Sequence, residues 1–109
     1  MARLDGKKVA ILVANGFEQI ELTEPRQALD TAGAVTVLIS PVAGQVQGMN
    51  HDQFGDKLPV DLALSEARAA DYDALLLPGG VANPDTLRTL PEAVRFVKAF
   101  FEAEKPVAY

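Results

Sequence analysis

Long apolar runs alternate with segments of helical spacing along this chain. Residues 7–14, KKVAILVA, form one such run, bounded by Asp5-Gly6 before it and Asn15-Gly16 after it. Apolar residues without polar alternation mark a strand covered on both faces, as in a parallel sheet. A helix is then predicted from Phe17 to Ala32, with Gly33 as its C′ residue. Pro25 falls either in the first turn of the regular part of that helix or at a kink. AVTVLIS (34–40) is a second strand. Strand, helix and strand in this order make a βαβ unit, whose crossover is expected to be right-handed.

Residues 41–60 break the rhythm. They carry Pro, Gly, Asn and Asp at turn spacing, which predicts a hairpin or short edge strands. A short helix is expected at Ser65–Ala70 with Ser65 as its N-cap. DALLLPGG (73–80) is a further apolar strand ending in a glycine pair. The clearest helix follows in TLPEAVRFVKAFFEAEK, where Thr89 and Glu92 have capping-box spacing and Pro91 sits at the front. Val94, Val97 and Phe101 form its apolar stripe, opposite Arg95, Lys98 and Glu102. PVAY then opens another strand, and Tyr109 stands inside it. The pattern predicts one α/β domain over 1–109, a flavodoxin-like, doubly wound, mostly parallel sheet sandwiched by helices, incomplete on its C-terminal side. Left without cover on one face, 1–109 alone is expected to aggregate or to be partly unfolded.

Composition narrows the function. The 109 residues are 49% hydrophobic and 23% charged, enough to bury a single core. The net charge is −5 and no Lys/Arg cluster appears, which argues against nucleic acid or an anionic membrane as the main partner. No apolar stretch approaches the ~20 residues of a membrane span. The first residues lack the apolar core of a signal peptide and cysteine is absent, so the expected compartment is the cytoplasm.

Ligands of open parallel sheets bind beyond the carboxyl ends of the strands, near the point where strand order reverses. ANGFEQIEL and LPGGVANPD occupy two such ends. Glu18, between Phe17 and Ile20, is expected to be half shielded there, a setting that raises a carboxyl pKa. The plainer alternative is an acid in the first turn of a helix. Gly79 and Gly80 can present backbone N–H groups with no side chain in the way, as an oxyanion hole requires, or can simply make a tight turn. Asp85 can orient a base or cap the short helix at Thr86. His51 lies in a polar loop beside Asp52 and is expected to be solvated. No second His or Cys stands at ligand spacing, so neither a metal nor a cofactor is expected.

KVAILVANGFEQIELTEP, HDQFGDKLPVDLALSEA, YDALLLPGGVANPDTLR and EKPVAY together resemble the PfpI family of intracellular proteases and deglycases. That family belongs to the class I glutamine amidotransferase-like superfamily. The resemblance covers almost all of this chain but only the N-terminal part of a family member. It implies that the strand begun by KPVA continues into a nucleophile elbow carrying a cysteine, followed by a histidine and a glycine. By the same resemblance Glu18 is the acid that hydrogen-bonds the reactive sulfur. Gly80, with Gly79, is the oxyanion-hole glycine. Asp85 lies beside the position of an acid, commonly Glu, that completes a triad with the histidine of a neighbouring subunit. The implied function is a cysteine-dependent hydrolase of stress response, acting on peptides or glyoxal-type adducts as a homo-oligomer. A redox sensor, a chaperone, or a structural fragment inactive on its own is the non-enzymatic alternative.

Overall fold

The computed structural model describes residues 4–79 and 86–109. Its main sheet is built from β1 (Lys8–Leu12), β3 (Val35–Ser40), β6 (Leu62–Ala63), β7 (Ala74–Leu76) and β8 (Val107–Ala108). The order is β6-β3-β1-β7-β8, and every neighbouring pair runs parallel. From β1 the chain passes outward to β3 on one side and later returns to β7 on the other. The order therefore reverses between β1 and β7, the switch point of a doubly wound sheet. A second sheet, β2-β4-β5, consists of β2 (Phe17–Glu18), β4 (Gln45–Asn50) and β5 (Gln53–Pro59). The last two form the antiparallel hairpin that the turn residues of 41–60 predict.

The unbroken apolar run of β1 is explained by its neighbours on both faces. Ala10, Leu12 and Ala14 pack with Tyr72, Phe96 and Phe100, whereas Val9, Ile11 and Val13 pack with Leu22, Leu38 and Val46. Alternate residues point to opposite faces of a strand, so the run divides itself between two cores. The helix α1 (Ile20–Thr31) covers one face through Leu22, and α2 (Pro91–Glu102) covers the other through Ala93, Phe96 and Phe100. Edge-to-face contacts of Phe96 with Tyr72 (6.3 Å) and Phe100 (5.2 Å) lock the second core. Among the described residues no helix is long and apolar enough to cross a membrane.

Four local expectations are corrected. First, α1 begins at Ile20, because Phe17 and Glu18 pair with the hairpin as β2. Second, residues 65–70 are not one helix. They form two 3-10 turns, Leu64–Glu66 and Ala69–Asp71, with extended backbone at Ala67 and Arg68, and Ser65 caps neither turn. A segment this short gains too few helical hydrogen bonds to outweigh nucleation, so buried Leu64 and the bond from Lys105 Nζ to the Ala69 carbonyl decide its path. Third, the N-cap of α2 is Leu90, without a side-chain bond, while the Thr89 hydroxyl donates to the Thr86 carbonyl. Fourth, the buried stripe of α2 is Ala93, Phe96 and Phe100 rather than the predicted Val94, Val97 and Phe101, of which Val97, half-buried, does pack against that core. Val94 and Phe101 are apolar but exposed, 46% and 54% respectively. The C-terminal end of α1 follows expectation: Gly33 sits at φ +96° and donates to the Asp30 carbonyl at 3.1 Å.

Candidate active site at the ends of β1, β7 and β8

Beyond β1, the Val13 N–H still reaches the Ile39 carbonyl (3.0 Å), after which Asn15 and Gly16 turn the chain away from the main sheet. Gly16 takes φ +91°, a backbone that side chains disfavour. The next two residues pair with β4, placing Phe17 opposite Gly48 and Glu18 opposite Met49. Phe17 is fully buried, and a Cβ on Gly48 would lie 3.2 Å from its ring. The missing side chain of Gly48 is what admits the phenyl ring. Helix α1 starts two residues after Glu18, so Glu18 lies in extended backbone and Glu21 in the first helical turn.

The two acids take different directions. The Glu18 carboxylate accepts the backbone N–H of His51 at 3.1 Å, in the turn between β4 and β5. The Glu21 carboxylate accepts the backbone N–H of Gly79 at 3.1 Å. Glu18 still touches the Gly79 turn, because its own N–H donates to the Gly79 carbonyl at 2.8 Å. Gly79 is thus held at both polar groups, by Glu21 at its nitrogen and by Glu18 at its oxygen. A Cβ on Gly79 would collide with Glu21 Oε1, so any side chain at position 79 would push that carboxylate aside.

Strand β8 closes the site. Leu76 pairs with Ala108, and the Leu77 N–H reaches the Ala108 carbonyl at 2.8 Å, so Tyr109 emerges beside Leu77 and Pro78. Two grooves flank that end. One, about 640 Å³, is almost wholly apolar and is lined by Gly79, Val94, Val97, Phe101 and Tyr109 among others. The other, about 470 Å³, lies on the α1 side and is bordered by Ile20, Glu21, Glu24, Pro78 and Tyr109. Tyr109 and Pro78 border both, so the end of β8 lies between them. It meets Glu21 in one groove and Gly79 in the other.

Of the residues predicted from sequence, Glu18 and Gly79 are brought together, but by the backbone of Glu18. Its carboxylate accepts from the hairpin, at the His51 N–H. The first-turn acid of α1 is Glu21, which sequence reasoning passed over. The available signal was the second acid of GFEQIEL, three residues on, where the helix begins. Gly80 and Asp85 lie outside the described residues. His51 is exposed in the hairpin turn at φ +59°, and its main chain rather than its imidazole makes the contact to Glu18.

Comparisons with known proteins agree with this architecture. The chain is 45% identical over 101 residues to "Putative cysteine protease YraA" of Bacillus subtilis, a match covering 93% of this chain and 57% of that protein. It is 49% identical over 82 residues to the uncharacterized protein SAV1875 of Staphylococcus aureus, covering 75% of this chain and 46% of the relative. The chain thus spans about half the length of the curated relatives it matches. A crystal structure of a DJ-1 superfamily protein from Salmonella typhimurium, solved as a cysteine-to-alanine variant, superposes with a TM-score of 0.81 at 30% identity. It covers 93% of this chain and 53% of its own. The DJ-1/PfpI family pattern matches residues 7–109, from the first strand through the last, and the chain belongs to the DJ-1/PfpI family.

Proposed function

We propose that this chain supplies two walls of a cysteine-dependent hydrolase site acting on peptides or on glyoxal-type adducts. In a polypeptide extended to the length of its relatives, the nucleophile would follow β8. The observation that carries the reading is the Glu21–Gly79 hydrogen bond bordering the end of β8, at the switch point of the sheet. A thiolate there would meet an acid on one side and a glycine turn on the other. Backbone N–H donors of a glycine turn, aimed at developing negative charge, account for much of the rate in acyl-transfer sites. Glu21 is assigned the sulfur-facing role that the resemblance gave to Glu18. Gly80 and Asp85 keep the roles the resemblance implies, the former in the oxyanion hole and the latter beside a partner subunit's histidine in a homo-oligomer.

The test is turnover by the extended chain and by its cysteine-to-serine variant, using a fluorogenic aminopeptidase substrate and methylglyoxal. Cysteine-dependent turnover of either supports the reading. If neither substrate is turned over while peroxide converts one thiol to the sulfinic acid, the reading fails and redox sensing takes its place. Light scattering of the same sample tests the homo-oligomer.

A further inference from the structure

Resting on that reading, we propose that Glu18 is a positioning residue that couples the β4–β5 hairpin to the Gly79 turn. The coupling runs through the strap formed by residues 15–19. One side of the strap is bonded to the hairpin throughout its length. The Gly16 N–H donates to the Gln47 carbonyl (2.9 Å), and the Gln47 N–H donates to Asn15 Oδ1 (2.8 Å). The Gln19 N–H donates to the Met49 carbonyl (2.8 Å), and the Gln19 side chain both accepts from the Asp56 N–H (2.7 Å) and donates to Asp56 Oδ2 (3.0 Å). On its other side the strap bonds to the Gly79 turn, from the Glu18 N–H to the Gly79 carbonyl.

Glu18 is the residue where the two sets meet. Its carboxylate holds the His51 amide, and His51 occupies a left-handed backbone (φ +59°) that a residue with a Cβ adopts at a cost. The Glu18–His51 bond offsets that cost and fixes the hairpin turn against the strap. Because a peptide unit is planar, fixing the strap also fixes the direction of the Glu18 N–H, and with it the orientation of the Gly79 carbonyl. Glu18 therefore acts on the proposed reaction through Gly79, without touching the sulfur.

The experiment compares Glu18→Ala, Glu18→Gln and Glu21→Gln in the extended chain, by amide hydrogen exchange and by kinetics. Glu18→Ala is expected to raise exchange at both His51 and Gly79 about tenfold or more. It should lower kcat about tenfold with KM nearly unchanged, since misplaced groups cost mainly in the transition state. Glu18→Gln keeps an acceptor oxygen for His51 and should behave as the parent, including its thiol titration, which Glu21→Gln should shift. Combining Glu18→Ala with His51→Gly, which removes the backbone strain, should restore most of the loss and also covers the case that Glu18→Ala alone folds poorly. Unchanged exchange at Gly79 in Glu18→Ala overturns the proposal. So does a thiol titration in Glu18→Gln shifted as far as in Glu21→Gln. The exchange measurement does not need turnover, so it decides the coupling even where the hydrolase reading fails.

Discussion

Gly79→Ala separates the site from the fold. The added Cβ would meet Glu21 Oε1 and stand 3.1 Å from its Cδ. Gly79 is not one of the glycines with positive φ, so alanine brings no backbone strain. What must move is the far end of an exposed, flexible side chain, and the cost to folding, the lost Gly79 N–H bond included, is expected to stay below ~2 kcal/mol. The site, by contrast, loses the bond between the Gly79 N–H and a carboxylate. Hydrogen bonds to charged groups are worth ~1.5–3 kcal/mol, and exposure of Glu21 places this one at the lower end. A loss of ~1.4 kcal/mol in the transition state is about a tenfold drop in kcat/KM. The assay pairs thermal melting of the extended chain with its cysteine-dependent turnover. In folding stability, adding Glu21→Gln to Gly79→Ala should cost little more, because both remove the same contact. A parent-like kcat/KM in Gly79→Ala refutes the reasoning, and so does a loss of stability beyond ~2 kcal/mol.

Three further outcomes follow from the packing. Phe100→Ala should cost ~3–5 kcal/mol in chemical denaturation and Phe101→Ala under ~1, because the first ring is fully buried and the second 54% exposed. Equal costs would show that the Val94–Phe101 stripe is core after all. Gly33→Ala combines a φ of +96° with a collision against Asp5 Oδ1 and should lower stability by ~1–2 kcal/mol, whereas Gly44→Ala, with φ +82° and open space around it, should lose only the backbone part. Desolvation by burial, helped by the charge of Asp71, raises the Tyr72 pKa above its ordinary value. The unfolded chain then releases the phenolic proton first, so stability should fall as pH rises through about 10, and Tyr72→Phe should flatten that fall in pH-dependent melts.

The hydrophobic pattern carried the fold because strands of the main sheet are covered on both faces, and the apolar run VAILVA, bounded by turn residues, fits such a strand. It failed where competing contacts were non-local. Phe17 and Glu18 read as the start of a helix, since the sequence around them does not announce that Gly48 leaves space for the phenyl ring. The apolar sector of α2 is broader than one stripe. Sequence spacing could not say that Ala93, Phe96 and Phe100 would meet the sheet while Val94 and Phe101 line the groove at β8. Both stripes have helical periodicity, and the choice between them is set by the neighbouring turns at Leu64 and Ala69.

The same non-local choice governs the two acids. In GFEQIEL both stand at the end of a parallel strand, and composition gives no reason to prefer one. The decision is made by where the strand ends and the helix starts. Phe17 enters its cavity against Gly48, which holds residues 17–18 extended and turns the Glu18 side chain toward the hairpin. Only after Gln19 does the helix begin, and its first turn aims Glu21 at Gly79. A bulky residue at position 48 would thus be expected to displace Phe17, and with it the register of the strap and the division of labour between the acids. Gly48→Val in the extended chain should weaken the protection of both His51 and Gly79 amides. Protection lost at His51 alone would mean that the Gly79 turn is set by β7 itself and not by the strap.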